Sequence, residues 1–199
     1  MKTFIIILVF SFVTSLSFSN DAVKKKEYKQ DTLFSSKNMS HGGYGGLVAK
    51  YTKINGKNAL LLGVRGGWII NHTFVIGVGG YGLAPIYKNY TLSPRENDRM
   101  DMGYGGILLE FIVLDRSIIH ISFGALTGGG AVTYNKNKND IDQFAFIEPE
   151  FNLIVNVFEW MRLGVGGSYR FVRGINREGS SNSSLSGPAG HILFKFGKF

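Results

Sequence analysis

The chain has 199 residues, no cysteine and a formal net charge of +8. This length suits one domain, and the lack of cysteine excludes a disulfide framework, a thiolate metal site and a lipid-modified cysteine. The positive charge favours anionic partners. Nucleic acid is not expected among them, because neither a base-stacking module nor zinc-finger spacing accompanies the charge.

The first residues predict a secretory signal peptide over 1–19. Lys2 supplies the positive charge, residues 4–13 form the apolar run, and Ser17 and Ser19 make a small-x-small cleavage site. The alternative, a membrane anchor, would need roughly 20 apolar residues. Residues 20–42 contain three consecutive lysines and no clear periodicity, so we expect a mobile periplasmic segment there.

From residue 43 the chain alternates between apolar and polar residues, which predicts β-strands. Tight turns follow the second, fourth and sixth strands, and longer polar connections follow the third, fifth and seventh. This asymmetry is typical of outer-membrane barrels, and an even strand count brings both termini to the periplasmic end. The predicted strands cover residues 43–54, 58–71, 74–87, 100–114, 117–134, the two halves of a hairpin over 144–173, and the last residues from about 187.

The hairpin over 144–173 has one apolar face and one face that carries both acids and arginines. A membrane barrel has this arrangement, with an apolar outer surface and a polar lumen. We expect a lumen charge network of Arg65, Glu110, Glu148, Glu150, Arg162, Arg170 and Lys195. The predicted lipid-facing residues are Leu60, Leu62, Val64, Trp68, Phe74, Phe111, Phe123, Phe151, Leu153, Val155, Leu163, Val165, Phe194 and Phe196.

A turn centred on Glu159 predicts which residues of this hairpin oppose one another. Glu148 then faces Arg170, and Phe151 faces a glycine at position 167. Because buried charges must pair, we expect a salt bridge between Glu148 and Arg170.

The 27 glycines concentrate inside the strands. In the third and fourth strands the apolar parity changes at the glycine pairs 79–80 and 105–106, which predicts β-bulges there. The segment 77–82 matches GxGxxG, but it lies in a strand and no helix follows it, so we expect no dinucleotide site. The histidines have no metal-ligand spacing, and we expect no metal or cofactor.

His120 and Ser122 lie two apart on one strand, and Glu110 could complete a catalytic triad. Outer-membrane lipid deacylases have a similar His and Ser pair. However, His120 follows a periplasmic turn closely and its parity points into the lumen, so a lumen hydrogen bond is favoured over catalysis and we expect no enzyme activity.

The sequence resembles small outer-membrane β-barrel proteins of Gram-negative bacteria, particularly uncharacterised barrels of the Bacteroidota type. Glycine-rich alternating strands, the hairpin segment from Ile147 to Phe171 and the ending 194–199 carry the resemblance. It implies recognition of the C-terminal strand by the barrel-assembly machinery. Phe199 has the opposite parity to Phe194 and Phe196, so either a bulge near residue 197 restores the register or the last residues lie outside the sheet.

The predicted fold is an all-β, eight-stranded antiparallel up-and-down transmembrane barrel over 43–199, in the outer membrane of a Gram-negative bacterium. Outer-membrane lipid and lipopolysaccharide are the expected partners. We expect a structural or surface-interaction role, since side chains can fill an eight-stranded lumen. A narrow conduit for small solutes or ions and a lipid-modifying enzyme are the alternatives, and a soluble ligand-binding barrel is the competing fold.

Overall fold

The computed structural model describes residues 40–84, 100–113, 117–134, 141–175 and 181–199. The predicted signal peptide and all but the last three residues of the predicted periplasmic segment lie outside the described residues. So does the end of the predicted third strand, from residue 85.

Eight antiparallel strands form one closed barrel. Each strand pairs with the next along the chain, and β1 pairs with β8, so the sheet has no open edge. The prediction of an all-β, eight-stranded up-and-down barrel is confirmed. The strands are β1 (His41–Ile54), β2 (Lys57–Ile70), β3 (Phe74–Leu83), β4 (Met100–Val113), β5 (Ile119–Tyr134), β6 (Ile141–Phe158), β7 (Met161–Arg173) and β8 (Gly187–Lys198).

The two ends of the barrel differ in their connections. We call the end where β1 begins and β8 finishes the terminus end, since Gly43 opposes Lys198 there. The opposite end, the loop end, carries the β1–β2 hairpin and the β7–β8 connection. At the β1–β2 hairpin both Asn55 and Gly56 have positive φ, at 51° and 74°. This two-residue turn matches the twist of the strands that it joins.

The expected bulges in the third and fourth strands are wrong. Gly79 opposes Gly106 and Gly80 opposes Gly105, within registers of β3 and β4 that run on without a shift. Beyond the glycines the large side chains, Tyr81 among them, simply point into the barrel. The change of apolar parity in β3 and β4 therefore marks the point beyond which large apolar side chains face the interior of the barrel. A register shift does occur in β6, between Asn156 and Phe158, beside the turn into β7.

A short helix, α1 (Asn182–Leu185), lies in the β7–β8 connection. Ser181 caps its N-terminus, and the Ser184 hydroxyl completes the capping box. Leu185 is fully buried, and the backbone N–H of Asn55 donates to the Ser184 carbonyl at 2.8 Å. The helix therefore packs onto the loop end of the barrel. Among the described residues, no helix is long and apolar enough to cross a membrane.

Within the part of the chain that the structure describes, the interior contains two apolar clusters, one toward each end. The cluster at the terminus end consists of Tyr44, Ile69, Val75 and Ile112, with Phe199 packed against it. The larger cluster, the loop-end core, includes Val48, Ile54, Ala59, Leu61, Tyr81, Met100, Met102, Tyr104, Leu108, Leu126, Val132, Phe144, Phe146, Val172, Ile175, Leu185 and Leu193. The polar lumen expected from the sequence is therefore only one part of the interior, because apolar clusters lie toward both ends of the barrel.

Candidate functional site

The outer surface of the barrel is apolar. Of the fourteen residues predicted to face lipid, ten are exposed and Leu60, Phe74, Val155 and Leu163 are partly exposed; none is buried. They all lie on the outward parity of their strands. Further exposed apolar residues lie on the same surface, including Leu47, Ile76, Val78, Ile107, Ile147 and Ile192. An apolar surface of this extent on a soluble monomer would be an aggregation hazard.

Among the described residues, three buried ion pairs cross the interior between strands that are distant in sequence. Lys50 Nζ lies 2.8 Å from Glu148 Oε1. Lys195 Nζ donates to both oxygens of the Glu110 carboxylate, at 2.7 and 2.8 Å. The third pair is bidentate: Arg65 donates through Nη1 and Nη2 to the two oxygens of Glu150, at 2.5 and 3.3 Å. Each carboxylate is thereby neutralised by a cation from across the barrel.

Tyrosines and hydroxyls satisfy the remaining capacity of these carboxylates. Tyr44 donates to Glu110 at 3.2 Å, while Tyr104 and Ser168 donate to Glu148 at 3.0 and 2.5 Å. The same rings lie next to the cations, since Lys195 Nζ is 4.5 Å from the centre of the Tyr44 ring. Such additional contacts are what a buried ion pair needs in order to offset desolvation.

The expected Glu148–Arg170 salt bridge is wrong, although the predicted hairpin register is confirmed by the pairing of Phe151 with Gly167. Glu148 pairs with Lys50 instead. Arg170 extends toward the loop end, where Nε donates to the Leu185 carbonyl at 2.9 Å and Nη1 to the Tyr104 hydroxyl at 3.2 Å. Two side chains can thus oppose each other on the sheet and still form their ion pairs and hydrogen bonds with other residues of the interior.

Arg162 lies near the terminus end, where it opposes Lys195 on the neighbouring strand β8. Its guanidinium is 4.0 Å from the centre of the Phe199 ring, and Nη1 is 3.5 Å from His120 Nε2. Phe199 follows the last residue of β8 and stacks on Tyr44, with ring centres 6.3 Å apart. The β1–β8 register has no shift at Gly197. Of the two alternatives for the chain ending, the structure thus has the last residue outside the sheet.

His120 and Ser122 are both fully buried in the interior. Asn152 donates to the Ser122 hydroxyl at 3.3 Å and to Glu150 at 3.2 Å. On its other side, Asn152 Oδ1 is 2.6 Å from His191 Nε2. This network links Ser122 and His191 to Glu150 and its ion pair with Arg65. Because His120 and Ser122 are both fully buried, neither is accessible from the lipid side of the wall.

Sequence reasoning missed several members of the network, above all Lys50, Tyr44 and Tyr104. Lys50 has the inward parity of β1, which the fully buried Ile54 shares, so alternation alone could have included it. For the tyrosines, inward parity alone did not predict membership of a charge network, because an inward tyrosine in a barrel can line either a polar or an apolar layer. Among the residues that the structure describes, no group of three or more His, Cys, Asp or Glu could hold a metal ion.

No model of a known protein family matches the sequence, and no curated protein sequence does. Among solved structures, the barrel is similar to Neisserial surface protein A, NspA, with a TM-score of 0.61 and 12% identity over 82% of this chain and all of that one. It is also similar to Ail, the attachment invasion locus protein of Yersinia pestis, with a TM-score of 0.50 and 9% identity over 80% of this chain and 97% of that one. A structure of Ail in complex with the heparin analogue sucrose octasulfate aligns equally well. These similar structures are eight-stranded outer-membrane barrels of Gram-negative bacteria, and the chain has their fold.

Proposed function

We propose that this chain is an integral outer-membrane barrel of a Gram-negative bacterium with a structural or surface-interaction role, and that its lumen is plugged. The observation that carries the proposal is an apolar outer wall around an interior that holds three buried ion pairs. A water-soluble barrel has the opposite arrangement. The relationship to Bacteroidota-type barrels belongs to the same proposal.

The filled interior favours this role over a conduit. Lys50, Arg170 and Lys195 are among the largest fully buried side chains, and they occupy the space that water would need. Apolar clusters lie on both sides of the charged layer, and Leu185 of α1 packs into the one at the loop end. An eight-stranded barrel has little more interior space than its own side chains fill.

The partners follow from the location. We propose that membrane lipid contacts the outer wall, that lipopolysaccharide surrounds its outer-leaflet half, and that the barrel-assembly machinery recognises β8. The predicted signal peptide would direct export. The exposed side chains of Phe194 and Phe196 lie on the outer face of β8, which supports this part of the proposal.

Cell fractionation and gel mobility test the proposal. The chain should be found in the outer-membrane fraction, and the unboiled protein should migrate differently from the boiled protein, because a closed barrel resists detergent until it is heated. A mature protein that is monomeric and stable in buffer without detergent would overturn the assignment.

A further inference from the structure

A shallow groove of about 480 Å³ lies on the outer wall where β6, β7 and β8 meet toward the loop end. Its walls are the side chains of Pro149, Phe151, Tyr169 and Pro188, and Gly167 lies in its floor. These five residues belong to the outward face, whereas the other lining residues, Glu150, Ser168 and Ala189, turn inward. The groove is therefore a feature of the surface that meets lipid under the proposed function.

Beside these lining residues, the strand register continues the glycine floor onto β8 and places a second aromatic ring on β1. Phe151 opposes Gly167, Gly167 opposes Gly190, and Gly190 opposes Tyr51. Across four strands the outward row thus reads aromatic, glycine, glycine, aromatic. The two rings stand at the sides of a floor that has no side chain, and a space of this form accepts a single hydrocarbon chain.

The barrel does not need a glycine at position 190 for its own packing. No heavy atom lies within 4 Å of the place that a Cβ would occupy there, and at Gly167 the nearest atom is the Ala189 carbonyl oxygen at 3.8 Å. Glycine inside a strand is destabilising by roughly 0.5–1 kcal/mol relative to alanine. The open floor thus weakens the sheet without relieving any crowding in it.

The rim of the groove toward the loop end is cationic. Lys53 is exposed beside Pro188, since the neighbouring Thr52 hydroxyl donates to the Pro188 carbonyl at 2.8 Å. Arg173 is exposed on the same face of β7, four residues beyond Tyr169. In the loop-end half of β6, β7, β8 and β1, the charged outward residues that the structure describes are these two cations. An apolar groove with a cationic rim on its loop-end side is complementary to an anionic lipid.

We propose that this groove binds lipopolysaccharide, with one acyl chain between Tyr51 and Phe151 and a phosphate of the lipid anchor at Lys53 and Arg173. The inference deepens the proposed function and rests on it, because the loop end must face the outer leaflet. Tyr51 and Tyr169 are exposed next to the cationic rim, and amphipathic rings of this kind suit the boundary between acyl chains and head groups.

Binding of fluorescent deep-rough lipopolysaccharide to the refolded full-length barrel in detergent tests the proposal, by titration at low and moderate salt. We expect Gly190→Leu to weaken binding at least tenfold by filling the groove, and Lys53→Ala to weaken it several-fold at low salt. Gly45→Leu is the matched control, because Gly45 is also exposed and also has no atom within 4 Å of a Cβ, but lies toward the terminus end. It should change binding less than twofold. Lys198→Ala is the control for charge.

The lipid source is tested in the same titration with phosphatidylglycerol and with dephosphorylated lipopolysaccharide, both of which should bind more weakly. Equal binding of all three lipids, or equal effects of Gly190→Leu and Gly45→Leu, would overturn the groove assignment. Heat-dependent gel mobility, measured for every variant, shows whether the barrel has folded. It therefore distinguishes a failure of the groove proposal from a failure of the proposed function. If the barrel is folded and requires detergent but the groove variants bind normally, the groove is wrong while the proposed function stands.

Discussion

At the scale of single residues, the stability of the interior depends on charges that come from distant parts of the sequence. Glu148 accepts from Lys50, Tyr104 and Ser168, and all of these contacts lie in the barrel interior. Removing one member of a buried pair leaves the other charge uncompensated, which costs more than the pair itself contributes. The network is therefore sensitive to single substitutions.

We expect Glu148→Gln to lower the free energy of unfolding by about 3 kcal/mol, because Lys50 would remain buried without its counter-charge. Urea unfolding of the refolded barrel in lipid vesicles measures the change. Glu159→Gln, in the exposed β6–β7 turn, is the matched control and should shift stability by no more than about 0.5 kcal/mol. The double variant Lys50→Met, Glu148→Gln should lose less than the sum of its single variants. Strict additivity would mean that the two groups do not interact.

Ser122 should have no catalytic role. Its hydroxyl is fully buried and accepts from Asn152, so a lipid ester has no route to it in this structure. We expect Ser122→Ala to leave any lipid hydrolysis by the purified barrel unchanged, measured with a fluorogenic phospholipid. Activity that disappears with this substitution, in a variant that still shows heat-dependent mobility, would restore the deacylase alternative.

At the scale of elements, the β1–β2 hairpin shows how local chemistry sets the register of two long strands. Asn55 and Gly56 both adopt the left-handed conformation, which Asn and Gly tolerate better than other residues. The pairing then continues from Ile54 and Lys57 along the whole length of β1 and β2. A residue that disfavours positive φ would strain this two-residue turn, from which the β1–β2 pairing begins.

We expect Gly56→Ala to lower the free energy of unfolding by about 1 kcal/mol, since alanine at φ of 74° is strained. The same urea titration in vesicles measures the loss. Gly45→Ala provides the comparison within one strand, because Gly45 lies in β1 with open space around it. It should be neutral or slightly stabilising. If both substitutions had the same effect, the turn conformation would not explain the loss.

At the scale of the whole molecule, the interior is sealed in layers. A charged layer lies between two apolar clusters, Phe199 packs at the terminus end and α1 packs at the loop end. Arg170 and Asn55 hold α1 through hydrogen bonds to the backbone carbonyls of Leu185 and Ser184. A continuous water path would have to break both apolar clusters.

We therefore expect the refolded barrel to give no stable single-channel steps in planar lipid bilayers. The absence of steps has meaning only when the same preparation shows heat-dependent gel mobility and when a porin added to the same bilayer conducts. Stable, reproducible steps from the chain itself would support the conduit alternative and would contradict a plugged lumen.

The sequence by itself determined the strand number, the closed antiparallel architecture and the residues of each face, because side-chain alternation along a strand is a local property. The pair Asn55-Gly56 likewise predicted the β1–β2 turn from local sequence alone. The sequence could not determine which groups an inward-facing side chain contacts. Ion-pair partners such as Lys50 and Glu148 are brought together only by closure of the barrel. Hairpin register therefore predicted a salt bridge between the opposing residues Glu148 and Arg170, which the structure does not form.

The glycine pairs of β3 and β4 show the same limit. Their change of apolar parity was a property of the sequence, but only the tertiary structure decided between a bulge and an apolar layer inside the barrel. The groove at Gly167 and Gly190 also exists only in the sheet, where registers align residues from four strands. Faces are set by neighbours along the chain, whereas partners and cavities are set by neighbours across the sheet and the lumen.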